Sequence, residues 1–195
     1  MRSIGAVVLA AGASSRLGRP KQILNFRGET LVRRAVRAAT EAHCDPVIVV
    51  VGHGGEAIRE ELRATSALVV ENAEWQRGLR TSIRCGLRQC ADSMEAVVLL
   101  TCDQPFVDAA IVAGLIAVHE KTGKPIIASS YADTLGVPAL FDRSCFDALR
   151  ALPDNCGAKS LIAARSGDVA AIPFEQGAID IDTPSDFQRL IAESE

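Results

Sequence analysis

The sequence predicts a three-layer α/β protein with a mostly parallel sheet, and three observations support this prediction. Short apolar segments rich in Val, Ile and Leu alternate with longer helix-like segments along most of the 195 residues. The apolar segments lack polar alternation, which is typical of strands that are buried on both faces. A βα order of this kind places helices on both faces of a parallel sheet through right-handed crossovers.

The first 130 residues contain the most regular part of this pattern. The predicted strands are Ile4–Ala10, Pro46–Val51, Ala67–Val70, Ala96–Leu100 and Pro125–Ser129. The predicted helices are Thr30–Thr40, Gly55–Leu62, Gly78–Gln89 and Asp108–His119. Asn25 and Gly28 interrupt the chain before the first helix, and the Asp108 carboxylate can cap the fourth.

The pattern is less regular after residue 130. Short strands are predicted at Val137–Phe141, Asp168–Ile172 and Ala178–Ile181, with helices near Arg143–Ala151 and Ala158–Ala164. A last helix begins at Pro184, with Thr183 as a candidate N-cap and proline at the first helical position. No internal repeat or interdomain linker is visible, so we expect one domain spanning residues 1–195.

Composition and charge argue against several classes of protein. Hydrophobic residues make up 48% and charged residues 23% of the chain, which is typical of a globular protein. A net charge of -3 and an aromatic content of 4% do not favour general nucleic-acid binding. No apolar run approaches the roughly 18 residues of a membrane span, and the short apolar N-terminus is interpreted as a strand rather than a signal peptide. We therefore expect a cytoplasmic protein that binds neither nucleic acid nor membrane.

The six cysteines are interpreted as reduced thiols. No two of them have the C-x-x-C spacing of a structural zinc site. A chain of this length without a secretory signal does not need disulfides for stability.

The most informative segment runs from Leu9 to Lys21 and directly follows the first strand. Ligands of open α/β sheets bind at the carboxyl ends of the strands. The small residues of this segment allow close approach of a phosphate, and free N–H groups in such a turn form an anion-binding nest. Arg16, Arg19 and Lys21 add three cations within six residues. These features predict a phosphate-binding loop, although a surface loop with solvated charges would have the same composition.

Two common nucleotide-binding motifs are absent. A Walker loop requires G-x-x-x-x-G-K-[ST], whereas the segment 157–160 lacks the correctly spaced leading glycine and follows no predicted strand. The G-x-G-x-x-G fingerprint is also absent, because Gly12 and Gly18 are too far apart. The sequence therefore argues against an ordinary P-loop kinase and against a common NAD enzyme.

A second candidate site residue is Asp103, which follows the buried strand Ala96–Leu100 and precedes Pro105. Its position at a strand end directs it to the same cleft as the first loop. An isolated buried charge is costly, so Asp103 needs a partner. Mg²⁺ carrying nucleotide phosphates would be one, because Mg²⁺ is held by one or two carboxylates, substrate oxygens and water. A cap of the following turn is the structural alternative.

A third segment contains Asp180 and Asp182 near the C-terminus. Residues i and i+2 of a strand share a face, so both carboxylates could point into one cleft. Asp182 is also placed to cap the helix that begins at Pro184, and this is the preferred interpretation. Asp180 is then the better candidate for a second metal contact.

A fourth segment, Glu71–Ser82, follows the third strand. Asn72 is a candidate for hydrogen bonds to a base or a ribose, and Ser82 lies in the first turns of the next helix. Trp75, the only tryptophan, is interpreted as a packing residue rather than a ligand contact.

These segments, in this order, resemble the MobA-like nucleotidyltransferases, a branch of the nucleotide-diphospho-sugar transferase fold. The resemblance extends over almost the whole chain. It rests on Leu9–Lys21, Asn72 with Gly78 and Ser82, Cys102–Pro105, Gly136–Pro138, Gly157–Lys159 and Asp180–Pro184. Among the subfamilies the chain is most similar to molybdenum cofactor cytidylyltransferase. The guanylyltransferase branch usually has two glycines in place of Ala11-Gly12, and an aspartate in place of Pro20.

The resemblance implies a role for each candidate residue. Arg16 and Lys21 would bind the triphosphate, and Asp103 would bind Mg²⁺ with Asp180 as its companion. The nucleoside would contact Leu9, Ala10, Ala11, Gly12, Asn72, Gly78 and Ser82. The resemblance also implies a nucleotide-binding half of about residues 1–105 and an acceptor-side half of about residues 106–195.

The implied reaction moves CMP from CTP to the terminal phosphate of a molybdopterin acceptor and releases pyrophosphate. The attacking phosphate is already anionic, so positioning and charge neutralisation suffice. His43, His53 and His119 are scattered, and His53 is interpreted as solvated or helix-capping. Transfer from another base or to another acceptor, such as guanylyl transfer or a sugar phosphate, stays open. So does a non-catalytic nucleotide-binding protein that contacts a molybdoenzyme or serves as its chaperone.

Overall fold

The computed structural model describes residues 3–52, 55–154 and 156–192, so that His53 lies outside the described residues. The strands are β1 (Ile4–Ala10), β2 (Asn25–Phe26), β3 (Glu29–Thr30), β4 (Val47–Val51), β5 (Leu68–Glu71), β6 (Ala96–Thr101), β7 (Ile126–Tyr131), β8 (Thr134–Asp142) and β9 (Val169–Pro173). The helices are α1 (Leu31–Glu41), α2 (Gly55–Glu61), α3 (Leu79–Leu87), α4 (Ala109–Thr122), α5 (Phe146–Arg150), α6 (Ala158–Ala164) and α7 (Pro184–Ala192).

Seven of the strands form one sheet in the order β5-β4-β1-β6-β8-β7-β9. β1 lies in the interior of the sheet and pairs in parallel with β4 and β6. β4 with β5, and β7 with β9, are parallel as well. The prediction of a mostly parallel sheet is therefore confirmed.

Helices cover both faces of this sheet because the strand residues alternate between them. Ala6, Val8 and Ala10 of β1 face a core that also contains residues of α1, α2 and α4. Val7 and Leu9 face a second core that contains residues of α3, α5 and α6. These two cores make the three-layer α/β architecture, as predicted.

The second half of the chain differs from its prediction in two places. β8 is antiparallel to both of its neighbours and is longer than the predicted strand 137–141. The predicted strand Ala178–Ile181 is wrong. A 3-10 helix occupies Glu175–Ala178 instead, and the chain continues without regular structure to α7. Within this segment Ile181 is buried by side-chain packing and not by pairing with a neighbouring strand, whereas Ile179 is exposed.

A third, smaller apolar cluster joins parts of the chain that are distant in sequence. Leu17 of the first loop packs with Phe26 of the β2–β3 hairpin, and both belong to a cluster with Ile181 and Leu190 from the C-terminal segment. The hairpin was not predicted. Because this cluster connects the first loop to the C-terminal segment, it brings the cations of the loop close to the carboxylates at 180 and 182.

We expect Gly86→Ala to destabilise the protein although alanine is the better helix former. A Cβ at position 86 of α3 would overlap Val7 and lie 3.2 Å from Val50, both in the sheet beneath. Overpacking of this kind costs about 1–3 kcal/mol. Gly114→Ala in α4 is the matched control, since its Cβ would meet only Ile172 at 3.6 Å and it gains about 1 kcal/mol of helix propensity. Equal stabilities of the two variants in urea unfolding would contradict the prediction.

Candidate active site

The first loop leaves the carboxyl end of β1 and turns back through Lys21. Gln22, which is completely buried, donates from Nε2 to the carbonyl oxygens of Ala10 and Gly12, both at 2.8 Å. The backbone N–H of Lys21 donates to the Ser14 hydroxyl at 3.0 Å. These hydrogen bonds hold the strand end and the lysine segment together.

Lys21 is the centre of a cluster of charges at the mouth of this loop. Its Nζ lies 2.6 Å from Asp103 Oδ2 and 3.0 Å from Asp182 Oδ1. Arg16 Nη2 donates to the other carboxylate oxygen of Asp182 at 2.7 Å. Lys21 is largely buried, with 14% of its side chain exposed, whereas Arg16 is mostly in solvent. Residues from three distant parts of the sequence therefore meet at one point.

The pKa values follow from this arrangement. Burial by itself lowers the pKa of Lys21, but Asp103 and Asp182 outweigh it and raise that pKa above its ordinary value. The hydrogen bond from Lys21 lowers the pKa of Asp182. Partial withdrawal from water, followed by the charges of Asp103 and Asp182, raises the pKa of Asp180 to about 6.

Asp182 does not cap the last helix, so that interpretation is wrong. The N-terminus of α7 is capped by Thr183 and Asp186 instead. The Asp186 carboxylate accepts from the Thr183 N–H at 2.8 Å, and the Thr183 hydroxyl accepts from the Asp186 N–H at 3.3 Å. This reciprocal pair is a capping box, which leaves the Asp182 carboxylate free to bind the two cations.

A cleft of about 360 Å³ opens beside the lysine. Of the predicted site residues, its lining includes Leu9, Ala11, Gly12, Lys21, Gly78, Ser82 and Asp103. A Cβ at Gly12 would meet no protein atom within 4 Å, so protein packing does not explain the glycine.

Asn72 lies behind this cleft and holds its wall in place. Its Nδ2 donates to the hydroxyl groups of Thr81 and Ser82 at 2.8 and 3.0 Å, and its Oδ1 accepts from the Glu74 N–H. The Ser82 hydroxyl, an acceptor in this bond, keeps its own O–H as a donor. Trp75 both lines the cleft and packs tightly over Gly52.

The carboxylates meet the requirements of a Mg²⁺ ion. In the part of the chain that the structure describes, no group of three or more His, Cys, Asp or Glu residues could hold a metal ion. Mg²⁺ needs only one or two carboxylates, however, with substrate oxygens and water as the other ligands. Asp103 and Asp180 interact electrostatically, and Asp180 has no ion pair among the described residues. Asp103 lines the cleft, whereas Asp180 lines a separate pocket with Asp186 and Arg189. One carboxylate at the cleft is enough for a Mg²⁺ ion that the substrate also binds, so the residues present fit the ion.

Sequence reasoning missed two buried glutamines of the site, Gln22 and Gln104. Gln104 Nε2 donates to the carbonyl oxygens of Val137 and Gly177, at 3.1 and 2.8 Å, and so connects the β6 end to the segment before Asp180. In the sequence, the one feature that could have indicated them is their position: each glutamine directly follows a candidate site residue, Lys21 or Asp103.

We expect Asp180→Asn to raise the melting temperature at pH 8, measured without divalent cations. The folded pKa of about 6 lies above the ordinary 3.8, so the ionised carboxylate destabilises the fold once the pH exceeds 6. The gain should shrink as the pH falls from 6 to 4. Asp186→Asn is the opposite control. Hydrogen bonds lower the pKa of Asp186, so replacing this carboxylate with an amide should destabilise the protein at pH 8. A pH-independent effect of Asp180→Asn would contradict the assignment.

Comparisons with known proteins show the family of this chain. Residues 6–169 match the MobA-like NTP transferase domain. The chain belongs to the MobA-like NTP transferase family. The resemblance seen in the sequence is thereby confirmed at the level of the family, and the chain is a transferase of the nucleotidyltransferase type.

The relatives that are similar in sequence to this MobA-like protein are named after several different activities. The nicotine blue oxidoreductase of Paenarthrobacter nicotinovorans is 27% identical over 205 residues, with 96% of each chain covered. The purine catabolism protein PucB of Bacillus subtilis is 30% identical over 200 residues, with 94% of each chain covered. The chain spans only about a quarter of the length of the bifunctional GlmU proteins that it also matches.

Among solved structures, Rv0371c of Mycobacterium tuberculosis H37Rv is similar over 98% of both chains. It has a TM-score of 0.85 and 31% sequence identity. A complex of the same protein with manganese has a TM-score of 0.78. A nucleotidyl transferase from Methanothermobacter thermautotroptrophicus matches 99% of this chain and 98% of its own with a TM-score of 0.83 and 24% identity, so the fold of this MobA-like chain is that of the nucleotidyltransferases. Within the described residues, no helix has the length and hydrophobicity that crossing a membrane requires.

Proposed function

We propose that the protein transfers CMP from CTP to the terminal phosphate of a molybdopterin-type acceptor, with Mg²⁺ as cofactor. The observation that carries this proposal is the placement of Lys21 between Asp103 and Asp182, 2.6 and 3.0 Å from their oxygens, beside a cleft lined by small residues. Cation and carboxylates at one end of a nucleotide-sized cleft are what metal-assisted handling of a triphosphate requires.

The nucleoside would lie along the first loop. We assign the contacts to the base and ribose to Leu9, Ala10, Ala11, Gly12, Gly78 and Ser82, with Asn72 behind them. Gly78 has a φ of 99°, which favours glycine, and it is the N-cap residue of α3, the helix that contains Ser82. Asn72 contributes by fixing Ser82, because its amide already bonds to that hydroxyl.

The triphosphate would lie toward Lys21 and Arg16. A lysine ammonium has three N–H donors, and the two carboxylates take two of them, so one stays available for a phosphate oxygen. Arg16 is mostly exposed, and its guanidinium can bind phosphate bidentately. Asp103 and Asp180 would hold Mg²⁺, which neutralises the phosphate charge when bound. The manganese complex of the similar Rv0371c supports a divalent cation here.

In the transfer step, an oxygen of the acceptor's terminal phosphate attacks the α-phosphorus of CTP in line. A bond forms between this oxygen and the phosphorus, the bond to the bridging oxygen breaks, and pyrophosphate leaves with that electron pair. The attacking oxygen is already anionic, so no side chain has to remove a proton. Lys21 and Arg16 orient the phosphates and offset the charge that develops on the leaving group.

We also propose a single nucleotidyltransferase domain, because one sheet contains strands from both halves of the chain. The nucleotide contacts come from residues before 105. The acceptor side is then formed after 105, where a molybdoenzyme or its chaperone could also receive the product.

We expect CTP to be used about 10-fold better than GTP. Ala11 is buried and lines the cleft, and its methyl group occupies space that a purine would need. A difference of one carbon in a pocket is worth about 1–3 kcal/mol. Ala11→Gly should therefore reduce the preference for CTP over GTP, whereas Ala64→Gly, in an exposed turn outside the cleft, serves as the control.

The test supplies equal CTP and GTP with Mg²⁺ and purified molybdopterin, and resolves the products by mass. A mainly guanylylated product would reject CTP as donor. Pyrophosphate release with a sugar phosphate but not with molybdopterin would reject the acceptor. Nucleotide binding without any pyrophosphate release would show that the protein binds nucleotides but does not catalyse the transfer.

A further inference from the structure

Gln22 is a completely buried polar side chain that the proposed reaction does not use directly. Both N–H donors of its amide are occupied, one by the Ala10 carbonyl and one by the Gly12 carbonyl, each at 2.8 Å. A side-chain amide has two donors, so these bonds use its full donor capacity. The hydrogen bonds span the end of β1 and the first turn of the loop.

Ser14 connects this arrangement to the phosphate-binding lysine. Its hydroxyl accepts from the Lys21 N–H at 3.0 Å and lies 3.5 Å from Gln22 Oε1. Ser14 has a φ of 53°, a left-handed conformation that non-glycine residues adopt rarely. The chain therefore reverses sharply between Gly12 and Leu17 in a way that these hydrogen bonds support.

We propose that Gln22 is the positioning residue that fixes the nucleoside-binding backbone relative to Lys21. The inference rests on the proposed function, in which a nucleoside lies against Leu9–Gly12. With the Ala10 and Gly12 carbonyls turned toward Gln22, the small side chains of the loop are left to line the cleft. Gln22 thus acts on the nucleoside through the loop.

If Gln22 has this role, its loss should affect the binding of the two ends of the nucleotide differently. The triphosphate end depends on Lys21, whose bonds to Asp103 and Asp182 do not involve Gln22. The nucleoside end depends on the shape of the loop, which Gln22 holds through two buried carbonyls. Loss of the amide leaves those carbonyls without a donor, so the loop should change shape while the charge cluster persists.

The experiment measures calorimetric binding of CTP and of inorganic tripolyphosphate to the full chain, with Mg²⁺ present. Gln22→Met keeps the volume and removes both donors. We expect this variant to bind CTP at least about 10-fold more weakly, because buried carbonyls left without a donor carry a free-energy cost of this order. Its affinity for tripolyphosphate should fall by less than about twofold. The KM for CTP should rise more than kcat falls. Gln89→Met, in the exposed turn that follows α3, should change the binding of neither ligand.

Equal weakening of both ligands, or no change in either, would overturn the role of Gln22. If the methionine variant does not fold, Gln22→Glu carries the same comparison, because it keeps size and acceptors but has no donor when ionised. Failure of the unmodified chain to bind CTP, with tripolyphosphate still bound, rejects the proposed nucleoside site and the inference together. If the unmodified chain binds CTP and tripolyphosphate, and the Gln22 variant loses affinity for CTP but not for tripolyphosphate, the result supports both the nucleoside site and the role of Gln22.

Discussion

Asp103→Ala should lower nucleotidyl transfer by about 100- to 1,000-fold at saturating Mg²⁺. The Asp103 side chain follows the end of β6, lies 2.6 Å from Lys21 Nζ and lines the cleft, so it is central to the charge cluster. Its loss removes a metal ligand together with the partner that orients the lysine. Removal of a group that stabilises transition-state charge costs about 3–4 kcal/mol, and each 1.4 kcal/mol is tenfold in rate.

The variant should stay folded, because the Asp103 side chain is partly exposed and Lys21 keeps its bond to Asp182. A thermal melt beside the activity measurement separates loss of function from loss of structure. Asp147→Ala is the control, since this aspartate is fully exposed and its ion pair is with Arg150 of the same helix, α5. Near-normal turnover of Asp103→Ala would remove this residue from the metal site.

Lys21→Met should lower kcat/KM for CTP by about 10- to 150-fold, whereas Arg19→Met should change it by less than about threefold. The loss of one hydrogen bond to a charged group corresponds to about 1.5–3 kcal/mol. Lys21 is held largely buried at the cleft by two carboxylates. Arg19 is exposed, and its guanidinium lies 5.6 Å from the centre of the Phe187 ring, outside the charge cluster.

The two variants are a matched pair, since both remove a cation from the same loop. Steady-state kinetics across a range of CTP concentrations will show whether the loss lies in KM or in kcat. Comparable activities would mean that the position of Lys21 between the two carboxylates has no role in triphosphate handling. Arg16→Met is expected to fall between them, because Arg16 joins the cluster only through Asp182.

The regular elements of the first half were predictable because their causes are local. β1 coincides with the predicted strand Ile4–Ala10, and α1, β4, β6 and α4 begin within one residue of their predicted starts. Asp108 caps α4 by accepting from the Ile111 N–H, as expected. Apolar periodicity, chain breakers and capping residues suffice for such elements, since each acts within a few residues.

The direction of β8 and the irregular segment after Ala178 were not predictable in the same way. A strand of apolar residues has the same composition whether it is parallel or antiparallel to its neighbours. The pairing partner decides the direction, and β8 pairs with β6 and β7 on either side. Ile181 is apolar because it is buried in the small cluster with Leu17 and Leu190, not because it belongs to a strand.

The sequence by itself determined which residue types follow which strands, and therefore the family, the cleft and the candidates Lys21 and Asp103. Only the tertiary structure decided how these residues are paired. Asp182 binds Arg16 and Lys21 rather than capping α7, because Thr183 and Asp186 already satisfy the helix end. Gln22 binds two carbonyls that precede it by 12 and 10 residues. Local propensity depends on neighbours along the chain, whereas ion pairs and buried hydrogen bonds depend on which segments packing brings together.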